Sequence, residues 1–347
     1  MKTAIFKKPG LIAVEDHPKP TIQQPTDAVM RVVRACVCGS DLWYYRGDSE
    51  HDQDAIGHEA IGVVEEIGDD VTTMKPGDLV IVPFAFSDNT CPHCENGVQT
   101  ACQNGGFFGA GEPGNGCQAE YVRIQQADGT AVVVPAGNYS DEQLASFLAL
   151  TDVMGTGYHA AVAAGVKPGS TVAVVGDGAV GLAGVLSAKL LGATRIIAMS
   201  RHESRQKLAT RWGATDIVAS RGDDAVAEVM QLTDGIGVDA VLECVGSKDA
   251  TETAFAIARP GAIVGRVGLP HEAPIDEVGT FFRNVGTRGG PAPVREYLPE
   301  LLRATLAGEI NPGEVFDYET DLDHIDEAYQ AMDSRRAIKA LIRVSEV

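Results

Sequence analysis

Apolar and polar positions over the first 134 residues alternate in short bursts, each closed by Gly, Pro or Asp. Residues 1–9, 28–37, 60–67 and 79–84 read as strands, and Lys75-Pro76-Gly77-Asp78 as the turn into the last of them. Short strands broken at this spacing predict a β-rich, barrel-like domain. The character changes after Tyr139. Ser140-Asp141-Glu142-Gln143 predicts a helix start, with Ser140 as the cap and Gln143 three residues on. From Thr171 the period switches repeatedly between two and 3.6. Strands are predicted at 171–175, 195–199, 216–218, 238–244 and 262–267, and helices at 179–191, 203–212 and 223–233, with another before the fifth strand. Strands alternating with helices of this length predict a parallel sheet with helical crossovers. The tail from Pro293 carries an amphipathic helix at 297–307 and a strand at 340–344, expected to pack back onto the first domain.

A chain of 347 residues is long for one core, so two domains are expected. The predicted division is 1–153, 154–292 and a return over 293–347. A formal net charge of −20, with no basic stripe, argues against a nucleic-acid surface, which needs clustered Lys and Arg. The acidity fits a high-salt origin or ordinary solubility. The N-terminus lacks the charged-then-apolar order of a signal peptide, and no stretch reaches the roughly 18 apolar residues of a membrane span. A cytoplasmic protein is expected, in which the seven cysteines are thiols or metal ligands and not a disulfide frame.

Gly176-Asp-Gly178-Ala-Val180-Gly181 directly follows one predicted strand and opens a helix. In that place the first glycine permits a tight turn, the second lets backbone approach a pyrophosphate, and the third lets helix pack on strand. Gly176, Gly178, Val180 and Gly181 are therefore candidate dinucleotide-binding residues; the other reading is a glycine-rich turn without a ligand. NAD sites carry an acid at the end of the second strand to hold the ribose 2′-hydroxyl. Here Ser200 stands there, followed by Arg201 and Arg205, which suit a 2′-phosphate. NADP(H) is expected, unless the arginines are merely solvated or Glu203 takes the acid's place.

Asp88, Cys91, Cys94 and Cys102 have the close spacing of a structural tetrahedral zinc site, with His93 and Asn89 as competing ligands. The other reading is a metal-free lobe with reduced thiols. Cys38 in Cys-Gly-Ser-Asp and His58 in Gly-His-Glu each read alone as a packed thiol or a satisfied imidazole. Together with Glu59 and Asp152 they supply ligands for a catalytic zinc, whose open position polarises a carbonyl oxygen or stabilises an alkoxide. Cys36, Cys117 and Cys244 are expected to be core residues.

Cys38-Gly-Ser-Asp, Gly57-His-Glu-x-x-Gly62, the cysteine lobe and the late glycine motif resemble the zinc-containing medium-chain alcohol dehydrogenases over essentially the whole chain. The Ser-Arg pair and Asp152 are nearest to the bacterial NADP-dependent secondary alcohol dehydrogenases. The resemblance implies an α/β protein with a GroES-like catalytic domain interrupted by a Rossmann domain, the active zinc in the cleft between them, and a homodimer or homotetramer built partly through the cofactor domains. It implies Cys38, His58 and Asp152 as catalytic zinc ligands, Glu59 beside the metal and Ser40 as the hydroxyl that passes on the substrate proton. It also implies Lys339 as a contact to cofactor phosphate.

Three positions depart from the family pattern. Trp43 stands where a relay histidine is common, with His51 nearby in sequence but not at the matching position. Asp88 replaces a lobe cysteine, and a Gly-rich insertion runs from Phe107 to Gly111. The expected function is zinc-dependent hydride transfer between NADP(H) and a small secondary alcohol or its carbonyl partner, in a largely apolar pocket walled by Trp43, Phe84 and Phe86. The alternatives are a polyol, sugar or threonine-type dehydrogenase, using polar groups such as Glu112 or Asn115, and, in another class, a zinc-free quinone reductase-like or cofactor-sensing protein.

Overall fold

The computed structural model describes residues 1–109, 114–271 and 273–347. Two compact units are formed, one from Met1–Asp152 with Pro293–Val347 and the other from Val153–Ala292.

The first unit is built on a seven-stranded sheet. Its order is Phe316–Asp321, Lys339–Arg343, Ala28–Cys36, Ala60–Ile67, Leu79–Val82 and Val132–Val133, with Tyr121–Ile124 also paired to Ala28–Cys36. Ala28–Cys36 is buried at eight of its nine positions, which explains its near-continuous apolar reading. Phe316–Asp321 at the sheet edge alternates half-buried and exposed residues. The tail strand joins the sheet between these two, antiparallel to Ala28–Cys36 and parallel to Phe316–Asp321. This inserts Lys339 into the interior of the unit. One apolar cluster runs from Ala4 and Phe6 through Met30, Val64, Val80 and Phe108 to Tyr329 and Ile342.

The second unit is a six-stranded sheet, parallel throughout. Its order is Asp216–Val218, Arg195–Met199, Thr171–Val175, Val238–Glu243, Ala258–Arg266 and Gly286–Gly289. Counted along this unit the order is 3-2-1-4-5-6, the doubly wound arrangement in which ligands bind beyond the carboxyl ends of the strands where the winding reverses. The strand Thr171–Val175 adjoins that reversal and feeds directly into the glycine turn.

Among the elements that the sequence reading does not contain, two show why. The sixth strand, Gly-Thr-Arg-Gly, has no apolar residue and pairs at the sheet edge through backbone, with one added bond from Thr287 Oγ1 to the Val264 carbonyl at 3.1 Å. The helix Val153–Ala163 is buried around most of its circumference, so no amphipathic period marks it. The predicted strand at 79–84 ends at Val82, and the predicted fifth strand begins earlier, at Ala258.

The helix Asp141–Ala149 carries the full capping box. Gln143 N–H donates to Ser140 Oγ at 3.3 Å, and the Ser140 N–H donates to Gln143 Oε1 at 3.0 Å. The two tryptophans fall one to each unit, Trp43 and Trp212. In a Trp212→Phe background, fluorescence therefore reports the first unit alone. There, Ser140→Ala is expected to lower stability by about 1 kcal/mol, read as a lower urea midpoint. An unmoved midpoint would show that the cap contributes nothing.

Candidate metal centres and cofactor turn

Three chain segments deliver four donor groups to a buried point in the first unit. The Sγ of Cys38, an imidazole nitrogen of His58 and carboxylate oxygens of Glu59 and Asp152 all lie within 4.8 Å of one another. Cys38 follows the strand Ala28–Cys36, and His58 and Glu59 precede Ala60–Ile67, its antiparallel neighbour. Asp152 follows Asp141–Ala149, the helix that the capping box starts. Gly57 sits at φ +89, and a Cβ there would meet Gln118 Cγ at 2.4 Å, so only glycine lets the chain turn His58 inward.

Asp152 Oδ2 is 3.5 Å from Cys38 Sγ and 3.4 Å from His58 Nε2. On its other side, His58 places Nδ1 3.4 Å from Asp41 Oδ1. Asp41 is itself anchored, its Oδ2 accepting from Cys38 N–H at 2.9 Å and Gln118 Nε2 at 3.3 Å. A carboxylate behind a histidine, fixing ring orientation, is the usual outer support of a metal ligand. Asp41 has no role assigned from the sequence alone. Its signal was present, as the last letter of Cys-Gly-Ser-Asp, but its pairing with His58 spans 17 positions and needs the fold.

Glu59 is fully buried and its Oε1 accepts from Lys339 Nζ at 2.6 Å. The resemblance assigns Lys339 to a cofactor phosphate. The structure gives its ammonium to Glu59 and to the Val37 carbonyl (3.1 Å), at 1% exposure, because a buried carboxylate needs a counter-charge. Burial pushes the Cys38 thiol up, with Asp152 adding to it. Burial likewise raises Glu59 against the pull of Lys339. Burial lowers His58, but Asp41 and Cys38 outweigh it and the net shift is well upward. Sulfur, imidazole and carboxylate at one point, each anion disfavoured by burial, fit a divalent cation, which restores the deprotonated forms.

Ser40 starts the helix Asp41–Arg46, half-buried, with its hydroxyl making no capping bond. Phe84 reaches the site, with its ring 6.2 Å from the His58 ring and stacked on Phe107 at 5.9 Å. Phe86 instead packs edge-on against Phe108 in the core, and Trp43 is half-buried in the helix after Ser40. His51 is held between the carbonyls of Asp52 (2.6 Å) and Gly109 (3.1 Å) and against the Tyr44 ring. Asn115 is buried and donates to Gln125 Oε1, while Glu112 lies outside the described residues.

The second cluster joins Asp88, Cys91, Cys94 and Cys102 within 4.8 Å. The Sγ of Cys91 is 3.6 Å from that of Cys94 and 3.9 Å from that of Cys102. Tetrahedral zinc with sulfur at about 2.3 Å requires sulfur–sulfur edges of about 3.8 Å. The lobe fits the ion. Asp88 Oδ1 accepts from the N–H groups of Thr90 and Cys91 and Oδ2 from Asn104, which hold its carboxyl well below the usual range despite partial burial. Asn89 is committed to Gln99 Nε2 at 3.0 Å, and the cluster does not include His93.

In the second unit the glycine turn has the geometry its spacing predicts. Gly176 takes φ +116, Gly178 caps the helix Ala179–Leu190, and a Cβ on Gly181 would lie 2.1 Å from the Gly176 carbonyl. Nothing lies within 4 Å of a Cβ built on Gly178, so its face is open. Val180 is half-buried in the first helical turn. At the end of the second strand Ser200 is buried and Arg201 exposed. Arg205 turns back onto Asp177, the residue between the first two glycines, with Nη1 3.2 Å from Asp177 Oδ1.

Comparison with known proteins agrees with this construction. Residues 24–136 match the alcohol dehydrogenase GroES-like domain and residues 179–304 the zinc-binding dehydrogenase model. A probable zinc-binding alcohol dehydrogenase of Mycobacterium tuberculosis is 33% identical, covering 96% of this chain and 86% of that protein. An NADP-dependent isopropanol dehydrogenase of Clostridium beijerinckii is 33% identical over 80% of each. The solved alcohol dehydrogenase of Thermus sp. ATN1 superposes with a TM-score of 0.91 at 31% identity, covering 99% of this chain and 100% of that one. These matches decide against the zinc-free class. The chain belongs to the zinc-containing medium-chain alcohol dehydrogenases, oxidoreductases that work with a nicotinamide cofactor.

Proposed function

We propose that the protein interconverts a small secondary alcohol and its ketone with NADP(H) as the preferred hydride carrier. The convergence of Cys38, His58 and Asp152 at one buried point carries the proposal. These three side chains hold the catalytic ion, and the lobe of Asp88, Cys91, Cys94 and Cys102 holds a structural one. A bound zinc would supply Lewis acidity toward the alcohol or carbonyl oxygen, and a bound nicotinamide would supply the hydride chemistry.

The chain's own residues do the rest. Asp41 keeps His58 turned toward Asp152. Glu59 stands beside the ligands as a further carboxylate, kept in place by Lys339. Ser40 receives the substrate hydroxyl proton at Oγ and releases its own, a role supported by its hydroxyl being free of helix capping. Phe84 and Phe107 give the site an apolar wall that suits an alkyl substituent. With Asn115 already bonded to Gln125, that wall favours a simple alcohol over a polyol. The identity to the isopropanol dehydrogenase supports the same substrate class. Ser200, Arg201 and Arg205 support NADP(H).

The assembly we infer is a homodimer or homotetramer. The helix Glu277–Arg283 buries none of its residues and leaves Phe281 76% and Phe282 78% exposed, next in sequence to the outermost strand Gly286–Gly289. Such an apolar face beside an unpaired edge suits a second copy.

Purified protein is expected to contain about two zinc ions per chain by elemental analysis. Asp152→Ala should remove one of them together with turnover of secondary alcohols; retained metal and turnover would rule out its role as a ligand. Asp41→Asn should lower affinity for the catalytic ion about tenfold to a hundredfold, measured by chelator competition, with the lobe ion kept. Equal loss of both ions would instead indicate a general folding defect. In assays across alcohols, polyols and ketones, secondary alcohols with NADP(H) should give the highest kcat/KM, and Ser200→Asp with Arg201→Ile should shift preference to NAD(H). Equal efficiencies of the two cofactors in the unaltered enzyme would contradict the reading.

A further inference from the structure

The glycine turn contains a charged residue for which neither pyrophosphate approach nor helix packing has a use. Asp177 lies between Gly176 and Gly178, yet its side chain points to the end of the second strand. Its Oδ2 accepts from Ser200 Oγ at 2.7 Å. Its Oδ1 and its carbonyl oxygen accept from Arg205 Nη1 at 3.2 and 3.3 Å. Asp177 and Arg205 are both 12% exposed, so the pair is largely shielded from water. Ser200 is pinned in turn, its N–H on the Val218 carbonyl and its own carbonyl on Gln206 Nε2 at 2.7 Å. The hydroxyl and guanidinium that resemble a 2′-phosphate seat thus already converge on an anion of the protein's own.

Charge decides what that anion does. Burial raises the Asp177 carboxyl, but Ser200 and Arg205 overcome this and hold it below the usual range, so it is ionised at neutral pH. A phosphate brought to the same donors must share them with a carboxylate. Two like charges at such close range repel, the more strongly the less water remains between them. A ribose 2′-hydroxyl meets the opposite situation, because it donates to a carboxylate. That is the service an acid at the end of the second strand performs in NAD-binding folds. Ser200 has taken that position here, and Asp177 reaches the same spot from the glycine turn.

We propose that Asp177 is the specificity-determining residue for the adenosine ribose, accepting the 2′-hydroxyl of NAD(H) and opposing the 2′-phosphate of NADP(H). Arg201, exposed beside this pair, remains as the cation available to the phosphate. The inference rests on the cofactor reading above and limits it: the preference for NADP(H) is held down by Asp177, and NAD(H) is used as well.

The test is binding of adenosine 2′,5′-bisphosphate and of 5′-AMP, by calorimetry on the zinc-loaded protein, so that no turnover is involved. Asp177→Asn and Asp177→Ser are compared with the unaltered chain, with the thermal unfolding midpoint as a folding control. Both substitutions should shift the affinity ratio toward the bisphosphate by about tenfold or more. A ratio that stays put, or moves toward 5′-AMP, in a folded variant overturns the proposal. A purely structural role for Asp177 would weaken both ligands alike and leave the ratio unmoved. Preference of the unaltered protein for 5′-AMP would count against the NADP(H) reading alone, because the Asp177 assignment is judged by the change on substitution.

Discussion

Burying several acidic and sulfur donors at one point is the constraint on which the first unit turns. Cys38, Glu59 and Asp152 are buried together with Asp41 just behind, and burial raises the Cys38 thiol and the Glu59 carboxyl. Two internal cations answer only part of this. Lys339 is spent on Glu59, and His58 is drawn upward by Asp41. The remaining demand is for a divalent ion, and the surrounding structure is arranged to meet it. Two antiparallel neighbours bring in Cys38 and the His58-Glu59 pair, a capped helix brings Asp152, and the tail strand inserts the lysine.

The same economy appears in the second unit with a different ion. A helix N-terminus and an open glycine face suit one anion, such as the pyrophosphate of a dinucleotide. A few residues away, a hydroxyl and a guanidinium that suit a second anion are already engaged by Asp177. On the proposed reading, cofactor choice is a competition between charges around one ribose and not the property of a single acid or arginine. The cysteine lobe shows a third solution. There Asp88 is stabilised as an anion by backbone N–H groups and Asn104, which lets a carboxylate stand beside three thiols.

Much of this was legible in local spacing. Strand-to-helix order in the second unit follows from hydrophobic period, and Gly176, Gly178 and Gly181 state the turn they build. The Asp88 to Cys102 cluster is compact in sequence, so its convergence needs little of the fold. The failures have physical causes. Gly286–Gly289 is held by backbone bonds that no side chain advertises. Val153–Ala163 is apolar nearly all round, so its helical period is invisible. Phe84 and Phe86 lie two residues apart and carry the same ring, and one regular strand would turn both to the same face; Phe84 instead stands in the break between Leu79–Val82 and Ala85–Phe86, so one ring meets His58 and the other Phe108.

By itself the sequence determined which chemistry the protein carries, because metal-type donors, a glycine turn and strand–helix alternation are properties of residue type and local period. Only the tertiary structure decided how the charges are partnered. Lys339 meets Glu59 across 280 positions, Asp152 meets Cys38 across 114, and Asp177 meets Ser200 across 23. Coulombic partnership depends on distance in space and on exclusion of water, and neither quantity is written along a chain.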